Sequence, residues 1–187
     1  MYKKNISVIE NALNLAQVEE GMIGDNSVIF TPSSDSNRNY ESAKRFAKYL
    51  NAAKICKNKI DKGCSGVYYK GTYQLNNNTF NSNNARIILN DGSIYDIIQF
   101  DTCDTIVDTC IRDEVGNCKK DENGNNLQGG KWNKPCAQIF IDVNGAKGPN
   151  IFGKDLFVVN VRKNSIFVSS YGPEGGSAAK DIMTGKI

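Results

Sequence analysis

The six cysteines constrain the fold of this chain more than any other feature. The sequence places them at Cys56, Cys64, Cys103, Cys110, Cys118 and Cys136. Because the 187 residues include no histidine, a zinc site would need four thiolates, which usually come as close Cys-x-x-Cys pairs. Neighbouring cysteines here are separated by at least six residues. An even number of cysteines in a domain of this size is typical of an oxidised, exported protein, so we expect disulfides rather than zinc or reduced structural cysteines.

The pairing of these cysteines is not fixed by the sequence. Six cysteines allow 15 pairings, about which spacing alone says little. Local pairing is simplest for the first two, which flank the turn-like segment 57–63. The disulfide pairs that we expect are Cys56 with Cys64, Cys110 with Cys118, and Cys103 with Cys136.

The predicted disulfides indicate an extracytoplasmic location, yet no export signal is visible in the sequence. The sequence has no run of 18 apolar residues, so we expect no membrane span within it. Its first 17 residues mix polar and apolar side chains and lack the apolar centre of a signal peptide. We therefore expect that a targeting segment ahead of this sequence has been removed.

Composition and charge exclude several function classes. The chain is 40% hydrophobic and 23% charged, which is enough apolar material for a core. A net charge of +3 without a clustered basic face is weak evidence for nucleic-acid binding. The absence of histidine excludes Ser-His-Asp and Cys-His catalysis and every histidine-ligated metal site. We expect a protein that is not an enzyme and binds no nucleic acid.

The order of patterns along the chain predicts an α+β fold, with helices first and an antiparallel sheet later. The length suggests one domain over 1–187. Its predicted parts are a helix over 1–20, a second short helix over 40–54, a sheet over 65–171, a long loop over 101–136, and a flexible tail over 172–187.

Two segments carry the clearest structural signals. Over residues 3–20 the apolar positions recur at helical spacing and cover about half of the helix circumference; they are Ile6, Val8, Ile9, Ala12, Leu13, Leu15 and Ala16. Gly21 is expected to end this helix. Residues 85–100 are typical of a β-hairpin with Asn90, Asp91 and Gly92 in the turn.

Acidic side chains around residue 100 suggest an enzyme as the alternative function class. Paired carboxylates perform general acid–base catalysis or bind hard cations, so a secreted hydrolase could use Asp96, Asp101, Asp104 and Asp108. The simpler interpretation, which we favour, is a solvated acidic loop between disulfides. Four lysines of the same loop could meet phosphate, but we expect them to balance neighbouring acids; they are Lys119, Lys120, Lys131 and Lys134.

The most specific string is IDVNGAKGPNIFGKDLF at 141–157. Its Asx and glycine residues suit a tight connection between two strands. The same string offers four oxygen-bearing side chains that could surround calcium instead; these are Asp142, Asn144, Asn150 and Asp155. We favour the structural turn and expect no cofactor, with calcium as the alternative.

This string resembles the D-x-N-G-x-K-G-P-N-x-x-G-x-D-x-F segment of type IV pilin-like proteins, the group of type II secretion pseudopilins and minor pilins. The matching residues are Asp142, Asn144, Gly145, Lys147, Gly148, Pro149, Asn150, Gly153, Asp155 and Phe157. The order of helix, loop, antiparallel sheet and cysteine-bearing region also agrees with that family over most of the chain. Members begin with a cleaved leader and a strongly apolar helix segment, neither of which matches any residue here.

The resemblance implies a pilin-like fold in which residues 1–20 form the amphipathic second half of the long pilin helix. It implies a non-enzymatic subunit of a type II secretion or type IV pilus-like filament. Such a subunit is anchored in the inner membrane before assembly and contacts other pilin or pseudopilin subunits in a periplasmic or cell-surface filament. The alternative is a filament-tip module that binds a surface, a glycan or DNA. Without the apolar helix segment, we expect the isolated head to be monomeric.

Overall fold

The computed structural model describes residues 2–64, 71–72, 79–80, 84–111, 113, 117–147 and 155–168. In this part of the chain two α-helices, α1 (Tyr2–Glu19) and α2 (Arg38–Ala47), accompany ten strands. The strands are β1 Ala52–Cys56, β2 Gly71–Thr72, β3 Thr79–Phe80, β4 Ala85–Leu89, β5 Ile94–Gln99, β6 Thr105–Cys110, β7 Gln128–Lys134, β8 Ala137–Asp142, β9 Leu156–Val161 and β10 Ile166–Val168. All paired strands are antiparallel. The predicted α+β class is confirmed.

Helix α1 lies within one residue of the helix predicted over 3–20. Its inner face is buried as the spacing indicated, and Ile9 and Leu13 are at most 2% exposed. Leu15 was wrongly assigned to this buried face, because its side chain is 58% exposed. Consecutive helical residues are rotated by roughly 100°, so Leu15 lies about 200° from Leu13 and faces the opposite side.

Gly21 ends α1 as predicted. Its φ of +68° lies in the left-handed region that glycine adopts without a steric cost. The Gly21 amide donates to the Val18 carbonyl at 3.2 Å, and the Met22 amide donates to the Gln17 carbonyl at 2.8 Å. These two bonds form a Schellman motif, which satisfies carbonyls that the helix end would otherwise leave unpaired.

The second helix is shorter than predicted. A helix over 40–54 was expected, but α2 ends at Ala47 and residues from Ala52 onward form strand β1. Alanine and lysine favour helix in isolation. Here pairing with β4 prevails, since Ile55 lies opposite Ile87 and the disulfide of Cys56 fixes the end of the strand. The sheet therefore begins before residue 65.

Six of the strands form one sheet in the order β1-β4-β5-β8-β9-β10. The predicted hairpin is confirmed as β4 and β5, with Gly92 at φ +88° in its turn. The core lies between the helices and one face of this sheet. Its largest fully buried members include Ile9, Phe30, Phe46, Tyr95, Ile97, Ile139 and Val159. The Tyr95 hydroxyl donates to Asn5 Oδ1 at 2.7 Å, which ties α1 to the central strands.

The opposite face of the sheet carries a buried ion pair. Arg86 and Asp96 are cross-strand neighbours on β4 and β5, and Arg86 Nε donates to Asp96 Oδ2 at 3.0 Å. Their side chains are only 7% and 9% exposed. The same row continues through Phe140 to Val158 on the next two strands. Asp96 is therefore a structural partner of Arg86.

The predicted long loop over 101–136 is wrong at 105–110 and 128–134, where the chain forms strands. Strands β6 and β7 form a two-stranded hairpin there. Its strands lack the apolar alternation of a half-buried sheet, because the side chains of both strands are exposed or half-buried. A second, smaller turn at its end is closed by a bridge between Lys120 and Asn126.

Three disulfides join Cys56 to Cys64, Cys103 to Cys136, and Cys110 to Cys118. These are the three disulfide pairs that we expected. The second links the start of the β6–β7 hairpin to the buried sheet, and the third lies near its far end. None of the helices in the described part of the chain combines the length and the hydropathy that a membrane span requires. Much of the first part of the sheet expected over 65–171, namely 65–70, 73–78 and 81–83, and the whole tail over 172–187 lie outside the described residues.

Candidate functional site

The string at 141–157 forms a buried turn where β8 and β9 separate. Asp142 is the last residue of β8 and is 2% exposed. Its Oδ1 accepts the backbone N–H of Asn144 at 3.1 Å and that of Gly145 at 2.8 Å. This Asx-type turn directs the chain into the short 3-10 helix Gly145–Lys147, as the residue types predicted.

Asp155 closes the turn from the other strand. Its carbonyl accepts the Val143 N–H at 2.9 Å, and its side chain is buried. The Asn144 amide donates through Nδ2 to Asp155 Oδ2 at 3.1 Å. Asn144 therefore links the two acids, through its backbone to Asp142 and through its side chain to Asp155. We call Asp142, Asn144 and Asp155 the Asx cluster.

The electrostatics of the Asx cluster are unusual for a connecting turn. Burial is the main cause that raises the pKa of Asp142 to about 7; the negative charge of Asp155 adds to this effect, and the backbone N–H groups of Asn144 and Gly145 oppose it. The Asp142 Oδ2 atom is buried and has no hydrogen-bond partner. Burying a carboxylate oxygen without a hydrogen bond is costly, so this atom of Asp142 lowers the stability of the turn.

The structure describes only some of the remaining motif residues, and Phe157 does not join the Asx cluster. Lys147 is exposed, and Phe157 points into the main core. The motif residues Gly148, Pro149, Asn150 and Gly153 lie outside the described residues. Of the four side chains considered for calcium, the structure thus places three together, and Asn150 stays a prediction.

The four acids considered for a hydrolase are not gathered into one site. Asp96 is held by Arg86 on the sheet, Asp101 accepts a hydrogen bond from Lys134, and Asp104 accepts the Lys163 N–H at 3.0 Å. Asp108 lies opposite Lys131 in the β6–β7 register. Each acid thus has its own basic or backbone neighbour. Among the described residues, no three acidic or cysteine side chains converge as a metal-binding group.

The β6–β7 hairpin exposes apolar side chains and few unbalanced charges. Ile106 is 65% exposed, and Trp132 is 38% exposed with its ring edge-on to Phe100 at 5.6 Å between centroids. Lys131 and Lys134 lie beside Asp108 and Asp101. This balance favours the interpretation of these lysines as partners of neighbouring acids.

Sequence reasoning missed an apolar surface on the outer side of α1. Leu15, Val18 and Ile23 are 58%, 66% and 74% exposed, and Met22 is 40% exposed. Residues three and four apart on a helix share a face, so Leu15 and Val18 stand next to each other. The spacing of positions 15, 18 and 22 could have revealed this face as separate from the buried one. We call Leu15, Val18, Met22 and Ile23 the α1 apolar strip.

Comparison with known proteins identifies no relative of this chain. No family model matches this chain, and no curated protein or solved structure shows significant similarity to it.

Proposed function

We propose that this chain is the extracytoplasmic head of a non-enzymatic filament subunit of the pilin-like class. The observation that carries the proposal is a helix with two apolar faces. One face of α1 is buried against the sheet, while the α1 apolar strip is exposed on the other side.

The exposed apolar face of α1 is more typical of an interaction surface than of a solvated surface. Leu15 and Val18 are neighbours on the outer surface of α1, and Met22 and Ile23 continue the strip past the helix end. Single exposed apolar residues are ordinary, whereas contiguous apolar patches typically mark interaction sites. A helix that packs on its own sheet with one face and on a neighbouring subunit with the other fits this distribution.

The disulfides support an extracytoplasmic site of action. All six cysteines are paired, and disulfides persist mainly in oxidising compartments. Two of the bonds fix the exposed β6–β7 hairpin, which has little buried apolar surface of its own. A surface element stabilised by covalent bonds rather than by a core suits a protein displayed outside the cytoplasm.

The resemblance of residues 141–157 to pilin-like proteins gives the proposal its specific form. In that family the helix ahead of the head anchors the subunit in the inner membrane and then packs in the filament core. Under the proposal, α1 is the continuation of that helix, and the α1 apolar strip contributes to contacts between subunits. The β6–β7 hairpin then faces outward, toward a neighbour or a tip ligand.

Val18→Lys tests the proposal in cells that produce the protein. A lysine at this 66% exposed position places a charge in the proposed contact and leaves the core intact, so the head should still fold. We expect the wild-type chain in filaments sheared from the cells or isolated from the periplasm. We expect at least a tenfold loss of the variant from that fraction, which corresponds to about 1.4 kcal/mol of assembly free energy, at unchanged total cellular level.

Ile60→Lys is the matched control. Ile60 is 83% exposed but lies in the segment between Cys56 and Cys64, away from α1 in the chain. This variant should assemble like the wild type. The proposal is wrong if the wild-type chain is absent from every filament fraction, or if Val18→Lys assembles as well as Ile60→Lys.

A further inference from the structure

Positive charge is concentrated in residues 44–62, which run from the last turn of α2 through β1 into the loop closed by the disulfide of Cys56 and Cys64. This segment holds seven Lys and Arg residues and one acid, a net charge of +6. The whole chain has a net charge of +3, so all its other residues together carry −3. Our expectation that the chain lacks a basic cluster is therefore wrong, because the net charge averages over this segment.

The fold brings lysines of the helix and of the loop together. Lys44 Nζ lies 4.9 Å from the centroid of the Tyr40 ring, and Lys57 Nζ lies 5.8 Å from the same centroid. Lys54 Nζ donates to the Lys62 carbonyl at 2.7 Å. An aromatic ring and a carbonyl carry no net charge, so the charges of Lys54 and Lys57 are not neutralised by these contacts. We call residues 57–63 the basic loop.

The basic loop also holds an isoleucine in water. Ile60 is 83% exposed, more than any other large apolar side chain of the described residues. The loop has its own internal hydrogen bonds, in which the Ile60 N–H donates to Asn58 Oδ1 at 3.0 Å and Asp61 Oδ2 accepts the Lys57 N–H at 2.6 Å. The only acid of the segment thus binds the backbone of the loop. An isoleucine kept exposed by an ordered loop gains free energy when a partner buries it.

Basic side chains around an exposed apolar side chain fit one class of partner best. The surface of an anionic lipid bilayer offers phosphate charges to lysines and, just below them, an apolar layer to an isoleucine. Single-stranded nucleic acid offers phosphates as well, but its bases stack on open aromatic faces. The Tyr40 ring is not open in this way, because Lys44 and Lys57 both lie against it.

We propose that the basic loop binds the surface of an anionic phospholipid bilayer. The exposed Lys57 and Lys62 are its charged groups, and Ile60 is the apolar anchor at the boundary between headgroups and acyl chains. This contact goes beyond the filament role and does not depend on it, since it uses none of the residues of the α1 apolar strip. It is a reversible surface contact, because one isoleucine and a few lysines provide far less binding free energy than a membrane-spanning helix.

Co-sedimentation of the purified oxidised chain with lipid vesicles tests the charge of this contact. We expect binding to vesicles of equimolar phosphatidylcholine and phosphatidylglycerol, and at least tenfold weaker binding to vesicles of phosphatidylcholine alone. Lys62→Glu should weaken binding to the anionic vesicles at least fivefold. Lys119→Glu is the matched control, because it changes the net charge equally at an exposed position of another loop; it should bind like the wild type.

Ile60→Ser tests the apolar anchor and separates a bilayer from other polyanions. It should weaken binding to the anionic vesicles about tenfold, whereas Ile106→Ser, at a 65% exposed position of β6, should not change it. Equal losses in these two variants would overturn the proposal, as would wild-type binding that does not distinguish anionic from neutral vesicles or that is absent from both. Binding of a single-stranded oligonucleotide that Lys62→Glu weakens and Ile60→Ser does not, without vesicle binding, would assign the basic loop to nucleic acid instead.

Discussion

At the scale of single residues, Gly145 shows how the turn at 142–155 depends on the absence of a side chain. Its φ is +64°, and a Cβ atom built there would lie 2.3 Å from the Gly92 carbonyl oxygen. The contact is backbone against backbone, so no side-chain rotation can relieve it. The β8–β9 connection and the β4–β5 turn can therefore approach each other only over a glycine.

Gly145→Ala should destabilise the oxidised protein by about 3 kcal/mol, because the left-handed backbone and the overlap with Gly92 both oppose the added methyl group. Urea denaturation at neutral pH measures this free energy of unfolding. Gly124→Ala is the control, since Gly124 has φ +83° but no atom within 4 Å of an added Cβ; it should cost about 1 kcal/mol. Equal losses in the two variants would show that the close approach does not contribute.

The same residues mark the limit of sequence reasoning. The sequence indicated that Asp142, Asn144 and Gly145 shape a tight turn, because their local chemistry suffices for that. It did not indicate that Asp142 Oδ2 would be buried beside Asp155 without a hydrogen bond. That fact depends on the packing of two strands and a distant hairpin turn, which no local pattern encodes.

At the scale of secondary-structure elements, an ion pair links α1 to the β4–β5 turn. Lys4 Nζ donates to Asp91 Oδ2 at 2.9 Å, and Asp91 Oδ1 accepts the N–H and hydroxyl of Ser93. The hydrogen bonds from Lys4 and Ser93 lower the pKa of Asp91 to about 2, from an ordinary value of 3.8. The ionised form is therefore favoured in the folded protein.

Asp91→Asn should lower the stability of the folded chain in a pH-dependent way. A depressed pKa stabilises the fold above pH 3.8, and this contribution is lost as the pH falls through about 2. The Asp91 side chain is 42% exposed, so solvent screening limits the loss at pH 7 to about 1 kcal/mol. Urea denaturation of wild type and variant at pH 7 and near pH 2 measures the difference.

Glu41→Gln provides the comparison for that measurement. Glu41 pairs with Lys44 within α2, and both side chains are more than 40% exposed, so its removal should cost at most about 0.5 kcal/mol. A difference between Asp91→Asn and wild type that persisted undiminished at pH 2 would contradict the assignment to charge.

The elements that the sequence predicted are those with local signals. Helix α1 follows from its apolar spacing and Gly21, and the β4–β5 hairpin follows from the turn at Asp91 and Gly92. Strand β1 was missed because its alanines and lysine favour helix until they pair with β4. The β6–β7 hairpin was missed because both faces are largely exposed, so its stability comes from pairing and disulfides rather than from an apolar pattern.

At the scale of the whole molecule, α1 has one buried apolar face and one exposed apolar strip. The buried face builds the core, and the α1 apolar strip is exposed; under the filament proposal it packs on a neighbouring subunit. The sequence analysis placed Leu15 on the buried face, although the helical rotation between Leu13 and Leu15 sets its side chain on the opposite side. The filament proposal depends on this outer face.

The most direct measurement of the central claim is photo-crosslinking from the α1 apolar strip in producing cells. A benzoylphenylalanine replacing Val18 should give light-dependent adducts between this chain and other filament subunits, seen as a ladder of higher mass on denaturing gels. The same group at Ile60 should give no ladder. Adducts of equal yield from both positions, or none from Val18 in cells that carry assembled filaments, would contradict the claim that α1 is the contact surface of a filament subunit.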